Sequence, residues 1–299
     1  VLSVFLEVVL PVALVAILGA LVGRWQSIPV RPVSALVFYL FSPALVFHSL
    51  ATTEVPGDEA ARIVAVVVVL YVILYVVATA ASTALRHDRG LRAGFALSVV
   101  TANGGNMGLP VSLLAFGQAG FDVAVVNFVV GAVLAYSAGI MIASMAGGGA
   151  SRALQAPFRY PVVYAAVGGV LVNVLAVELP VTIEAPVATL ADAAVPVMLV
   201  VLGLQLHGAA SLTELRDTVA ANAGRLLVAP ALAWAIVTAA GLEGVTRDTL
   251  IVLSAMPTAV IATVVATEFN ARPDFVTRSV VLSTLLSMVT TTVLITLVR

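Results

Sequence analysis

The residues able to do chemistry in this chain are few, and they stand where apolar ones are expected. Residues 101–110 read Thr-Ala-Asn-Gly-Gly-Asn-Met-Gly-Leu-Pro. Asn103 and Asn106 each carry an amide that donates and accepts hydrogen bonds, so either can hold a carboxylate or satisfy a broken backbone. Pro110 lacks the N–H that an unbroken helix needs. The glycines at 104, 105 and 108 accept bent backbone and close approach. A second polar interruption, Ser254-Ala255-Met256-Pro257-Thr258, places two hydroxyls around another proline. If helices break at both places, their half-helix N-termini present unpaired N–H groups and a positive dipole end, which suits an anion. The other use of such small and polar residues in a membrane is close helix packing.

Two charged residues fall inside apolar runs. Arg225 lies roughly nine residues past Arg216, about 13 Å along a helix. It is either a countercharge or gate partner, or a side chain reaching back to the headgroups. Asp192 stands four residues before Pro196. Desolvation would let it carry a proton; alternatively it caps a helix interrupted at Pro196. Pro43 and Pro196 occupy matched places and are hinges or static kinks. There is no cysteine, and His48, His87 and His207 are far apart. No metal motif results and no nucleophile stands beside a base, so neither a metal, a cofactor nor enzymatic chemistry is expected.

The elements that must position these residues are membrane helices. The chain has 299 residues, 62% hydrophobic and only 10% charged, against about 25% charged in a soluble domain. Its apolar runs recur along the whole length and approach the ~20 residues that cross a bilayer. Expected spans cover residues 5–22, 33–50, 63–85, 91–116, 123–145, 157–177, 183–206, 218–240, 248–269 and 274–298. Residues 1–22 lack a basic flank and a small-residue cleavage pattern, so a retained span is expected there. Offsets between matching features run from 147 residues (Pro110 to Pro257) to 153 (Pro43 to Pro196). The expectation is an all-α polytopic membrane protein: ten transmembrane helices in two inverted five-helix repeats, 1–145 and 157–299, joined by a short linker at 146–156. Paired interrupted helices in inverted repeats are a recurrent plan of secondary transporters.

All 14 basic residues are arginine, and the net charge is −1. With ten spans, Arg24, Arg31, Arg86, Arg89, Arg92, Arg152, Arg159, Arg216, Arg272 and Arg278 share one side. Only Arg62, Arg247 and Arg299 share the other. The positive-inside bias then puts the central loop in the cytoplasm and both termini outside the plasma membrane. No basic block suggests nucleic acid.

The run Asn103-Gly104-Gly105-Asn106-Met107-Gly108-Leu109-Pro110 resembles the fourth-span signature of the auxin efflux carrier family, whose prokaryotic members include malate and other organic-anion permeases. Ser254-Ala255-Met256-Pro257-Thr258 is similar to its ninth-span counterpart, and Phe41-Ser42-Pro43-Ala44-Leu45 and Ser283-Thr284-Leu285-Leu286-Ser287 also fit. The resemblance implies a fold like bile-acid/sodium symporters and sodium/proton antiporters, with helices 4 and 9 broken and crossed. It implies a scaffold of helices 1, 2, 6 and 7, often a homodimer surface, and a transport domain of helices 3–5 and 8–10. Pro110 and Pro257 would be the crossover prolines, and Asn106 the amide nearest substrate. Plant members carry an asparagine before the ninth-span crossing; Ser254, Ala255 and Met256 stand there instead, which weakens auxin itself as substrate. No Asp or Glu lies within 101–110 or 254–259, so sodium or proton coupling stays open. The expected function is secondary transport of a small organic anion, malate-like or auxin-like, by elevator-like alternating access. The alternatives are an anion channel and, further off, an intramembrane enzyme.

Overall fold

Proline sets the local shape of these helices. The computed structural model describes residues 2–53, 55–146, 161–205 and 214–299. Regular structure there is helical, apart from one isolated antiparallel bridge between Ala102 and Thr258. In chain order the helices are α1 Leu2–Gln26, α2 Pro32–Thr52, α3 Gly57–Ala84, α4 Arg89–Val100, α5 Gly104–Ser144, α6 Pro161–Val174, α7 Val181–Gln205, α8 Leu215–Ala239, α9 Gly244–Ser254, α10 Val260–Glu268 and α11 Pro273–Val298. Among the described residues four π-turns occur, at Phe5–Val9, Val37–Phe41, Gly104–Gly108 and Gly224–Val228. Each ends two residues before a proline: Pro11, Pro43, Pro110 or Pro230. The pyrrolidine ring clashes with the carbonyl four residues back and lacks its own N–H. Widening the preceding turn relieves the clash, and the residue before each proline donates its N–H five residues back, as Leu109 does to Gly104.

The closest helix pairings fall into two sets, joined by contacts of α5 with α1, α2, α6 and α7 and of α11 with α1. α1 lies against α7, and α2 against α6 and α7. At Gly203 a Cβ would fall 1.8 Å from the Ala16 carbonyl oxygen, so α1 and α7 meet backbone to backbone. Lipid tails are as apolar as leucine, so such contacts hold helices together by dispersion and close approach rather than by expelling water. In the other group α3 packs on α4, α5 and α9 on each other, α8 on α9, and α11 on α4 and α10. Val8, Val46, Met107, Ile251 and Met256 are buried in one apolar cluster, while Leu97, Phe95, Phe275 and Val276 form another around α4 and α11.

The helix count corrects the expected architecture. Among the described residues seven helices are long and apolar enough to cross a membrane: α1, α2, α3, α5, α7, α8 and α11. This replaces the ten-helix plan of two inverted five-helix repeats. The breaks expected at 101–110 and 254–258 leave pieces too short to cross a membrane as single helices. The expected span at 248–269 is split into α9, with 11 residues, and α10, with 9. The expected span at 91–116 is cut after α4, with 12 residues. Its remainder joins the following span in α5, 41 residues long and bent at Gly117, where φ is 66°. The described part of the sixth expected span, α6, has 14 residues. Beyond Ala146, the expected linker at 146–156 lies outside the described residues.

Candidate functional site

α4 and α9 both stop in the interior, and extended backbone follows α4 and precedes α10. Thr101 follows α4 with φ −89° and ψ 105°, and Ala259 precedes α10 with φ −72° and ψ 143°. The two gaps cross and pair. The Asn103 N–H donates to the Pro257 carbonyl at 2.7 Å, and the Ala259 N–H donates to the Thr101 carbonyl at 2.9 Å. Backbone groups freed inside a membrane must find protein partners, and the hydroxyls here complete that repair. Thr258 Oγ1 donates to the Ser98 carbonyl at 2.7 Å, while the Thr258 N–H donates to Ser283 Oγ at 3.0 Å. Thr101 Oγ1 donates to the Leu97 carbonyl and Ser254 Oγ to the Ile251 carbonyl, both at 2.6 Å.

Arg225 ties the crossing together. It lies in the π-turn of α8 and is 1% exposed. Its Nη1 donates to the Val99 carbonyl at 2.8 Å and reaches the Val100 carbonyl at 3.4 Å; its Nη2 donates to the Ser254 carbonyl. One guanidinium therefore caps the C-terminal ends of both α4 and α9, where orphan carbonyls and the negative dipole ends gather. Arg225 thus points inward, onto backbone carbonyls.

A cavity of about 130 Å³ opens at this junction, bordered by Thr101, Asn103, Asn106, Arg225 and Ser254. Tyr71 from α3 and Asn127 and Phe128 from α5 add to its polar and aromatic lining. Three buried donors facing this region have no hydrogen-bond partner: Asn103 Nδ2, Tyr71 Oη and Arg225 Nε. Among the described residues that line it, Arg225 is the one cation and no carboxylate is present. A Cβ on Gly105 would stand 2.9 Å from the Phe128 ring, so only glycine lets the start of α5 pack this closely.

The structure distributes the residues singled out in the sequence unevenly. Asn103, Asn106 and Ser254 line the cavity; Pro257 and Thr258 are buried in the crossing beside it. Pro110 is buried too, but the break lies at 101–103 and α5 runs on through the proline. Pro110 is thus not where the two segments cross. Pro43 is half-buried behind its π-turn, next to Ser42, which lines the cavity. Asp192 and Pro196 are exposed on α7 and are not among the lining residues. Asp192 is not buried as expected: it shares the exposed face of α7 with Pro196, while Ala191 and Ala194 in the same turn are buried. Tyr71 and Asn127 went unremarked in the sequence. Asn127 was findable as an amide within an apolar span, whereas nothing local marks Tyr71 among its valines.

At the ends of α4, α8 and α11 a polar network joins separate helices. Asp88 caps α4, accepting from the Leu91 N–H at 2.8 Å, and pairs with Arg272 at the start of α11. Those interactions, the backbone bond first, hold its carboxyl below the usual range, and Asp88 in turn raises Arg272. Glu214 pairs with Arg278 and, at 3.7 Å, with Arg272. His87 is buried between Ser82 Oγ, 2.9 Å from Nδ1, and Asp217, 3.3 Å from Nε2.

Among the described residues no group of three or more His, Cys, Asp or Glu could hold a metal ion. In comparison with known proteins, the chain is 28% identical over 289 residues to an "Uncharacterized transporter" of Methanothermobacter thermautotrophicus, an alignment spanning 95% of each chain. The profile of the family described as "Membrane transport protein" matches residues 4–157 and 150–295. With its membrane-length helices and its polar crossing in the interior, this multi-pass chain belongs to the membrane transport protein family.

Proposed function

We propose that the protein carries a small organic anion across the membrane, binding its carboxylate where the gaps after α4 and α9 cross. One observation carries this reading: the cavity holds three unpartnered buried donors, one of them on the Arg225 guanidinium, with no carboxylate among its described lining residues. Burying a donor without a partner is costly, and a carboxylate accepts from several donors at once. The positive N-terminal ends of α5 and α10 begin at the same crossing. Arg225 already neutralises the negative ends of α4 and α9. The balance of partial charges favours an anion. The resemblance to organic-anion permeases points the same way, and the absence of an amide at Ser254, Ala255 and Met256 favours a malate-like over an auxin-like acid.

Alternating access is the mechanism that best uses the two packing groups. α1, α2, α6 and α7 form one body; the crossing belongs to the other. They meet along α5, which contacts α1, α2, α6 and α7, and where α11 meets α1. Sliding or rocking of the second body would carry the cavity from one face to the other. Proton coupling through Asp192 has no support in its exposed position. The membrane potential alone acts on a monoanion by about 2.3 kcal/mol per 100 mV.

The test is flux in proteoliposomes with a panel of radiolabelled mono- and dicarboxylates under imposed pH, sodium and potential gradients. Saturable uptake, with counterflow when the same acid is loaded inside, is the expected result. Currents that grow without saturation and show no counterflow would identify a channel instead.

A further inference from the structure

A second cavity, about 350 Å³, lies between α3, α4 and the last turns of α5. Ala93, Ala96, Ile142 and Met145 give it an apolar wall. Tyr75 Oη donates to Met145 Sδ at 3.4 Å, tying α3 to α5 beside it. Arg89 and Arg92, in the first turn of α4, also line it. Among the described residues neither arginine has a carboxylate within ion-pair distance, and Arg92 Nε is buried without a partner. The nearby Asp88 is engaged by the Leu91 N–H and by Arg272. Two guanidiniums without counterions therefore adjoin an apolar slot.

That pairing selects one kind of occupant. Guanidinium forks match phosphate oxygens, and the wall beyond them suits hydrocarbon. A soluble phosphate would satisfy the arginines and leave the wall bare. A neutral lipid would cover the wall and leave the cations unpaired. We propose that this cavity binds an anionic phospholipid, its phosphate on Arg89 and Arg92 and its acyl chain along Ala93, Ala96 and Ile142. Basic pockets between membrane helices commonly take acidic headgroups. The site is separate from the crossing, so the proposal stands whatever acid the protein carries.

Native mass spectrometry of the full chain in detergent tests this. The probes are dioleoyl phosphatidylglycerol, dioleoyl phosphatidylcholine and inorganic phosphate. The parent is expected to retain phosphatidylglycerol at least tenfold over phosphatidylcholine. The double variant Arg89→Gln/Arg92→Gln should lose that preference to within about twofold, while Arg24→Gln, on α1, keeps it. If the double variant does not fold, Arg89→Gln alone, at an exposed position, should show a partial loss. Equal retention of the two lipids by the parent would overturn the proposal, as would undiminished preference in the arginine variants. Displacement of the lipid by an equal concentration of inorganic phosphate would overturn the lipid assignment in favour of a plain anion site.

Discussion

The backbone N–H of Asn103 donates to the carbonyl oxygen of Pro257 across 2.7 Å. That bond joins two breaks 154 residues apart in the chain. It also leaves the Asn103 side chain free to face the cavity, because the main chain alone holds the residue in place. Position and recognition are thus divided between backbone and side chain of one residue.

Removing the amide should therefore weaken binding more than folding. For Asn103→Ala we expect affinity for the best-transported carboxylate to fall about tenfold or more, since a hydrogen bond to a charged group contributes roughly 1.5–3 kcal/mol. The melting temperature should stay close to that of the parent. Asn103→Asp should abolish binding through like-charge repulsion, and Asn106→Ala should lower flux more than stability. Equilibrium binding and thermal unfolding on the same detergent preparations decide this; unchanged affinity in folded Asn103→Ala would remove that residue from the site.

Arg225 makes a different demand. Without its guanidinium the carbonyls of Val99 and Ser254 lose a buried partner, each at a cost of about 1–3 kcal/mol. Arg225→Met should therefore melt well below the parent. Arg225→Lys should recover less than half of the loss, because a point ammonium cannot span both helix ends as the planar fork does. A lysine variant as stable as the parent would show that charge alone, without the fork geometry, suffices.

Two glycines should respond in opposite directions. At Gly203 an added methyl meets the Ala16 backbone, so Gly203→Ala should destabilise by roughly 1–3 kcal/mol or force α1 and α7 apart. Gly131 has nothing within 4 Å of its would-be Cβ and lies within α5. Gly131→Ala should be neutral or stabilising by up to about 1 kcal/mol, the helix preference for alanine. Thermal unfolding of both variants checks the pair.

Asp88 gives the stability a defined acid dependence. Its carboxyl is held below the usual range by the Leu91 N–H and by Arg272. A carboxyl lowered in the folded state binds its proton more weakly there than in the unfolded chain. Its stabilisation is full above the unfolded value of about 4 and is lost as pH falls through the lower native one. The pair is largely exposed, so the effect should be small and screened by salt. The melting-temperature gap between parent and Asp88→Asn should be largest at pH 6 and close towards pH 3. A gap that widens on acidification would contradict the sign.

Some of this was readable residue by residue. The apolar runs and sparse charge dictated membrane helices. The glycines, amides and prolines at 101–110 and 254–258 marked where helices could not run smoothly. Those are local facts: backbone sterics and the absence of an N–H act within a turn or two. Pro110 marks where a local reading overreaches. Proline forbids an ordinary turn, but α5 absorbed it by widening one, and the true gap opened seven residues earlier.

The chain alone thus determined that it would fold as apolar helices with two polar interruptions. Which polar groups would be enclosed, and by what, only the tertiary structure decided. Arg225 is buried because Val99, 126 residues away, and Ser254, 29 away, bring their carbonyls to it. Asp192, in an equally apolar run, faces outward because α7 turns its other side to α1. The number of continuous membrane-length helices was settled the same way, since pairing between the gaps after α4 and α9 keeps each segment from closing into a rod. Burial and partnership are properties of which surfaces meet, and no window of neighbouring residues contains both sides of a contact.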